Sequence, residues 1–276
     1  MIKKAFYSFI FISICYSLFI SNFPNKGVGT HQWQENQIRA HRFLYDKTSD
    51  TVLVGTSLSA RIFQDSISSV SFCAFSACVV EDGLRLILSK KVPPRYILIE
   101  TNYLLRPSNG EIVKINTQGP MPFLRRYIPI LREQNSPSSI MGYSIMQGAL
   151  SPVGQVDLKR LEKNIEDRIS DDYTHLLSEK QLEERIQTIM SLVRQLESLG
   201  VKIALYEMPL NKRLLNLPSN EQTRQIVHHL FPSEKYTYIP CDTSNYLTND
   251  GEHLDEEGRR RYSHYIKIML SSITIL

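Results

Sequence analysis

The chain has 276 residues, enough for one sizeable α/β domain with a buried core. Its 32 basic and 28 acidic side chains leave a formal charge of only +4 with no long basic block, which argues against a nucleic-acid partner. Short clusters such as Arg125-Arg126 and Arg259-Arg260-Arg261 read as solvated helix faces.

At the amino terminus, Lys3-Lys4 precede an uncharged run of aromatic, aliphatic and small residues over 5–20. That run is shorter than the roughly 20 residues that cross a bilayer comfortably but lies near the lower limit of about 17 once 21–23 are added. An export signal is expected, retained as an uncleaved anchor because a small-x-small cleavage pattern is weak. A removed signal peptide is the alternative, and a buried core helix the plain reading. Lys3 and Lys4 stay cytoplasmic under the positive-inside rule, which places the rest of the chain outside the inner membrane, periplasmic if anchored and secreted if cleaved. The expected organisation is an anchor at 1–24, a polar stalk at 25–50, and one domain at 51–276 carrying an insertion at about 104–176.

From residue 51 the pattern alternates. Strands are expected at 51–54, 69–75, 96–100, 201–207 and 236–239, each a brief apolar run bounded by breakers. Helices are expected at 80–88, 178–199, 220–230 and 255–270; the stripe Leu182, Ile186, Ile189, Val193, Leu196 marks the second as core-facing, with Gly200 as its stop. Residues 104–170 carry six prolines between 107 and 152 and few periodic segments, so they read as loops and short helices, of the kind that often build a substrate cleft. The alternation predicts an α/β fold with a five-stranded parallel sheet and helices on both faces. Ligands then collect at the carboxyl ends of the strands.

Cysteines give little chemistry. Cys15 lies in the apolar run, Cys73 and Cys78 sit among apolar neighbours and read as buried thiols, and Cys241 makes the domain's total odd. No zinc spacing appears, and although Glu252 and Asp255 flank His253, no second ligand cluster supports a metal. No cofactor is implied. His228-His229 falls on a predicted helix and reads as solvated.

Two distant fragments carry chemistry. Thr51-Val-Leu-Val-Gly55-Thr-Ser57 sets a serine just beyond a strand, and Asp250-Gly-Glu-His253 sets a carboxylate three residues before a histidine. A serine hydroxyl needs an adjacent base, which His253 supplies through one ring nitrogen, while Asp250 binds the other and fixes the tautomer. Singly, each fragment is more often a turn or a helix cap. In order, and each at a strand end or helix start, they point to acyl transfer.

Four stretches together resemble the SGNH (GDSL-type) hydrolases, over roughly residues 50–105 and 200–270. They are Val54-Gly-Thr-Ser57-Leu58, Ala74 to Leu84, Leu98-Ile-Glu-Thr-Asn102, and Asp250-Gly-Glu-His253-Leu254. The resemblance implies a flavodoxin-like three-layer α/β/α fold with Ser57, Asp250 and His253 as catalytic triad. It also implies an oxyanion hole built from the Ser57 and Ala77 backbone amides and the Asn102 side chain. Thr56 stands where the family has aspartate, and Ala77 or Ser76 stands where it has glycine. An anchored, extracytoplasmic member resembles enzymes that add or remove acetyl groups on surface glycans, as O-acetyl esterases or O-acyltransferases. The expected partners are a glycan or acyl-ester substrate, the membrane and a membrane acyl-donor protein. A non-catalytic, membrane-tethered module in polysaccharide or cell-wall assembly is the second reading, and a phosphate or flavin binder the third.

Overall fold

A computed structural model of the protein describes residues 2–22, 27–148, 158–171, 175–242 and 244–273. The chain begins with α1 (Ile2–Asn22), α2 (Gln32–Tyr45), β1 (Thr51–Gly55), α3 (Ser57–Ala60), β2 (Val70–Ala74), α4 (Val80–Leu88) and β3 (Tyr96–Glu100). Then follow α5 (Glu111–Thr117), α6 (Met121–Tyr127), α7 (Pro137–Gly148), α8 (Leu158–Asp171) and α9 (Glu179–Ser198). The chain closes with β4 (Lys202–Tyr206), α10 (Lys212–Leu215), α11 (Pro218–Leu230), β5 (Thr237–Tyr238) and α12 (Glu256–Ile273). Short 3-10 turns occupy Gln64–Ile67, Pro129–Leu131 and Glu133–Asn135.

The strands form one sheet in the order β2-β1-β3-β4-β5, and every pairing is parallel. This is the doubly wound order of flavodoxin-like folds, with helices flanking the sheet. Val52, Leu53 and Val54 of β1, with Ile97, Leu98 and Ile99 of β3, are all buried. Strands covered on both faces need such unbroken apolar runs, which is why the sequence shows runs rather than alternation. A methyl group at Gly83 of α4 would collide with the Val54 side chain and the Cys73 carbonyl, so glycine lets this helix lie close on β1 and β2. Cys73 is fully buried and Cys78 half-buried; neither is in a disulfide, and burial pushes the Cys73 pKa up.

Two compact units make up the chain: Met1–Lys47 with Glu111–Pro152, and Thr48–Gly110 with Val153–Leu276. The second holds the whole sheet. The expected insertion is therefore divided: from Glu111 to Pro152 it belongs with the amino-terminal helices, and on either side of that stretch with the sheet.

In the first unit, α1 is long and apolar enough to cross a membrane or serve as a signal anchor, and its side chains are almost all exposed. The stretch read as a polar stalk contains the helix α2, and four of its polar residues are inside. Gln34, Asn36, Gln37 and His41 are buried. The Gln34 amide donates to Glu133 (2.8 Å), Ser138 (3.0 Å) and Ser139 (3.1 Å). His41 accepts from the Glu133 backbone N–H at 2.8 Å, and burial lowers its pKa to about 3, so its ring is neutral. Polar composition was misleading here because these side chains pair with Asn116 and residues 133–139 instead of with water.

Candidate active site

The serine turn is shaped by a buried carboxylate. Glu100, the last residue of β3, is fully buried. Its Oε2 accepts from the Thr56 N–H (2.9 Å), the Ser59 N–H (3.3 Å) and the Ser59 hydroxyl, and its Oε1 accepts from the Thr56 hydroxyl (2.6 Å). The Tyr206 and Ser59 hydroxyls lie 2.5 Å apart, closing the network. A Cβ at Gly55 would run into Ser59 and the Glu100 carboxylate, so the glycine of Gly55-Thr-Ser57 is required for the chain to pass over Glu100. Thr56 then caps α3 by accepting from the Leu58 N–H at 3.3 Å. Ser57, the first residue of α3, is left half-exposed.

The histidine loop has its own scaffold. Residues 248–254 are closed by an antiparallel bridge between Thr248 and Leu254, and the Asn249 N–H donates to the His253 carbonyl at 2.8 Å. Gly251 holds φ +92, in the left-handed region, where a side chain would also strike Ile165 of α8 and Leu214 of α10. Asp250 Oδ1 accepts from the backbone N–H groups of Glu252 (3.1 Å) and His253 (2.8 Å). Asp255 caps α12 through the Gly258 N–H at 2.7 Å, which ties the loop to a long helix.

These two scaffolds meet. His253 Nε2 lies 2.9 Å from Ser57 Oγ, and His253 Nδ1 lies 2.7 Å from Asp250 Oδ2. Asp250 is acceptor-only, so its partner Nδ1 carries the proton and Nε2 presents its lone pair to the serine hydroxyl. Burial by itself would raise the Asp250 carboxyl, but hydrogen bonds from the His253 ring and backbone overcome it and hold the pKa well below the usual aspartate range. Glu252, next to the triad in sequence, is a different case: Tyr103 donates to its Oε1, and Arg168 of α8 pairs with its Oε2 at 2.8 Å. Thus the last part of the expected insertion packs onto the histidine loop.

The expected oxyanion donors are placed as follows. Ala77 has φ 55 and, among the described residues, is the one non-glycine with positive φ. Ala77, not Ser76, therefore takes the left-handed conformation that glycine adopts freely. Asn102 is buried, and its amide is paired to one backbone unit: Nδ2 donates to the Met208 carbonyl (2.9 Å) and Oδ1 accepts from the Met208 N–H (2.7 Å). One Nδ2 hydrogen is thereby committed to joining the ends of β3 and β4, and one remains. A cavity of about 400 Å³ lies at the carboxyl ends of β3, β4 and β5, lined among others by Thr101, Asn102, Tyr206, Glu207 and Cys241. Arg224 of α11 grips Glu207 there with Nε (3.0 Å) and Nη2 (2.7 Å).

Glu100, Ser59 and Tyr206 were not identified by sequence reasoning. Their signal was present: an ionisable residue closing the apolar strand Tyr-Ile-Leu-Ile-Glu100 must find donors where it is buried. No family model matches the chain, and no curated protein is significantly similar to it.

Proposed function

We propose that the protein is a serine-dependent acyl-ester hydrolase or O-acyltransferase of the SGNH type. Its substrates are acetyl or related esters on cell-surface or extracellular glycans. The observation that carries this reading is the unbroken line of hydrogen bonds from Ser57 through His253 to Asp250.

In the proposed reaction, His253 Nε2 takes the hydroxyl proton as Ser57 Oγ attacks the acyl carbonyl carbon. Asp250 keeps the ring oriented and stabilises the imidazolium that forms. The charge developing on the carbonyl oxygen is met by the Ser57 N–H, a backbone N–H near Ala77 and the remaining Asn102 hydrogen. When the C–O bond to the leaving alcohol breaks, Nε2 returns its proton to that oxygen, and the acyl group stays on Ser57. Water then attacks in an esterase and a sugar hydroxyl in a transferase, each giving its proton to Nε2 while Ser57 Oγ leaves and is reprotonated.

The length and apolarity of α1, with Lys3-Lys4 before it, support anchoring in the inner membrane with the sheet unit outside. Two assays on the detergent-solubilised full chain test the function. The first is p-nitrophenyl acetate turnover, where Ser57→Ala and His253→Ala should each lose activity by about 10³-fold or more. The second is stoichiometric labelling of Ser57 by a fluorophosphonate. Equal turnover by all three proteins would overturn the proposal, and absence of labelling would favour a non-catalytic tethered module.

A further inference from the structure

We propose that the surface around α6 is a second membrane contact, lying in the lipid headgroup region beside α1. This rests on the reading of α1 as a membrane anchor and adds to it a part of the folded chain that touches lipid.

Depth supplies the first argument. The 21 residues of α1 make a helix about 31 Å long at 1.5 Å per residue, close to the roughly 30 Å of a bilayer's hydrocarbon core. A span with no length to spare draws whatever is bonded to it short of its end into the interface. The stripe of α1 formed by Ser13, Tyr16 and Ile20 is the part that is not fully exposed, and α1 touches the turn Pro129–Leu131. The Tyr16 hydroxyl donates to the Asn135 carbonyl at 2.8 Å. Tyr16 lies six residues before Asn22, so this contact sits about 9 Å below the helix end. A helix that spans at all therefore carries these turns to the depth of the interface.

The second argument is the chemistry of that surface. Phe123 is 65% and Tyr127 67% exposed, their rings 5.1 Å apart, and Met121, Ile128 and Leu131 are exposed alongside them. Contiguous exposed apolar side chains of this kind mark an interaction surface. Basic residues are interleaved with them: Lys114, Arg125 and Arg126 occur between Glu111 and Glu133 with no acidic residue among them, whereas Arg132 is mostly buried and paired with Asp46 at 3.2 Å. Between Glu133 and Asp157 the sequence has no charged residue at all. Aromatic rings with arginines suit the boundary between acyl chains and anionic headgroups, where long basic side chains reach back to phosphate.

The test uses the full chain in vesicles of phosphatidylcholine and phosphatidylglycerol, with a photoreactive benzophenone placed in turn at Phe123, Tyr127, Ile10 and Lys180. Ile10 reports α1, and Lys180 lies on a charged face of α9 beside Glu179 and Glu183. Lipid adducts at 123 and 127 comparable to those at 10, with none at 180, are expected. Adducts at 10 but none at 123 and 127 would overturn the second contact and leave the anchor standing. No adduct at 10 would overturn the anchor and the second contact with it. Crosslinks from 123 or 127 to another copy of the chain in place of lipid would overturn the proposal in favour of self-association.

Discussion

The turn at residues 55–60 is built on the carboxylate of Glu100 and the His253 ring is held by that of Asp250, and the two are tuned in opposite directions. Glu100, beneath the turn, receives four hydrogen bonds, yet complete burial outweighs them and raises its pKa above the ordinary glutamate value of 4.5. Asp250, partly exposed, is also opposed by burial, but its bonds from His253 prevail and lower its pKa. The difference teaches that the number of donors does not decide ionisation; the balance between lost water and gained partners does. It also separates two jobs. Glu100 fixes the backbone that presents Ser57, while Asp250 fixes the ring that receives the proton.

If that separation is right, the two sites should fail differently. Asp250→Asn should lower turnover of p-nitrophenyl acetate on the order of 10³- to 10⁴-fold by favouring the wrong tautomer of His253, a loss far out of proportion to the stability lost with the charged carboxylate. Loss of fold with unchanged specific activity would break the comparison. Glu100→Ala should do the reverse first. It orphans the Thr56 and Ser59 donors and should cost about 3 kcal/mol in urea unfolding, with activity falling because the turn loosens. Glu100→Gln, which keeps one acceptor and mimics the neutral acid, should cost about 1 kcal/mol.

The pH dependence sharpens the same contrast. Asp250, with a depressed native pKa, contributes stability that is present above the unfolded aspartate value of 3.8 and is lost as pH falls through the native value. Glu100, with a raised native pKa, contributes stability that is present below 4.5 and is lost as pH rises through the native value. In unfolding free energy measured against pH, Asp250→Asn should flatten the acid limb. Glu100→Gln should remove a decline on the neutral side of 4.5. Identical profiles for the two variants would show that the carboxylates are not tuned apart.

Much of this arrangement was legible from local pattern. Helix α4 and strand β3 fall on the residues expected for them, because buried parallel strands and a capped amphipathic helix leave unambiguous traces between breakers. Strand β5 shrinks to Thr237–Tyr238, since only these two residues pair with β4. The meeting of Ser57 with His253 followed from strand-end placement, although 196 residues separate them. What could not be read was partnership inside the protein. The polar face of α2 looked solvated, and Asn102 looked like a free donor. Its bonding to Met208 depends on β3 and β4 being neighbours, which alternation alone does not specify.

The smallest expected effect concerns Ala77. A left-handed conformation costs an L-residue about 1–2 kcal/mol, and glycine escapes this while losing more chain entropy on folding, roughly 0.5–1 kcal/mol. Ala77→Gly should therefore stabilise the protein by at most about 1.5 kcal/mol and leave turnover within about threefold. Ala77→Val is the informative partner, because a β-branched residue tolerates φ 55 poorly and should push the loop out of this conformation. If a backbone amide at this turn meets the oxyanion, Ala77→Val should lower kcat by about tenfold or more, while His253 and Ser57 remain in place. Equal kcat for alanine, glycine and valine at position 77 would remove this turn from the oxyanion hole and leave the Ser57 amide and Asn102 as its donors.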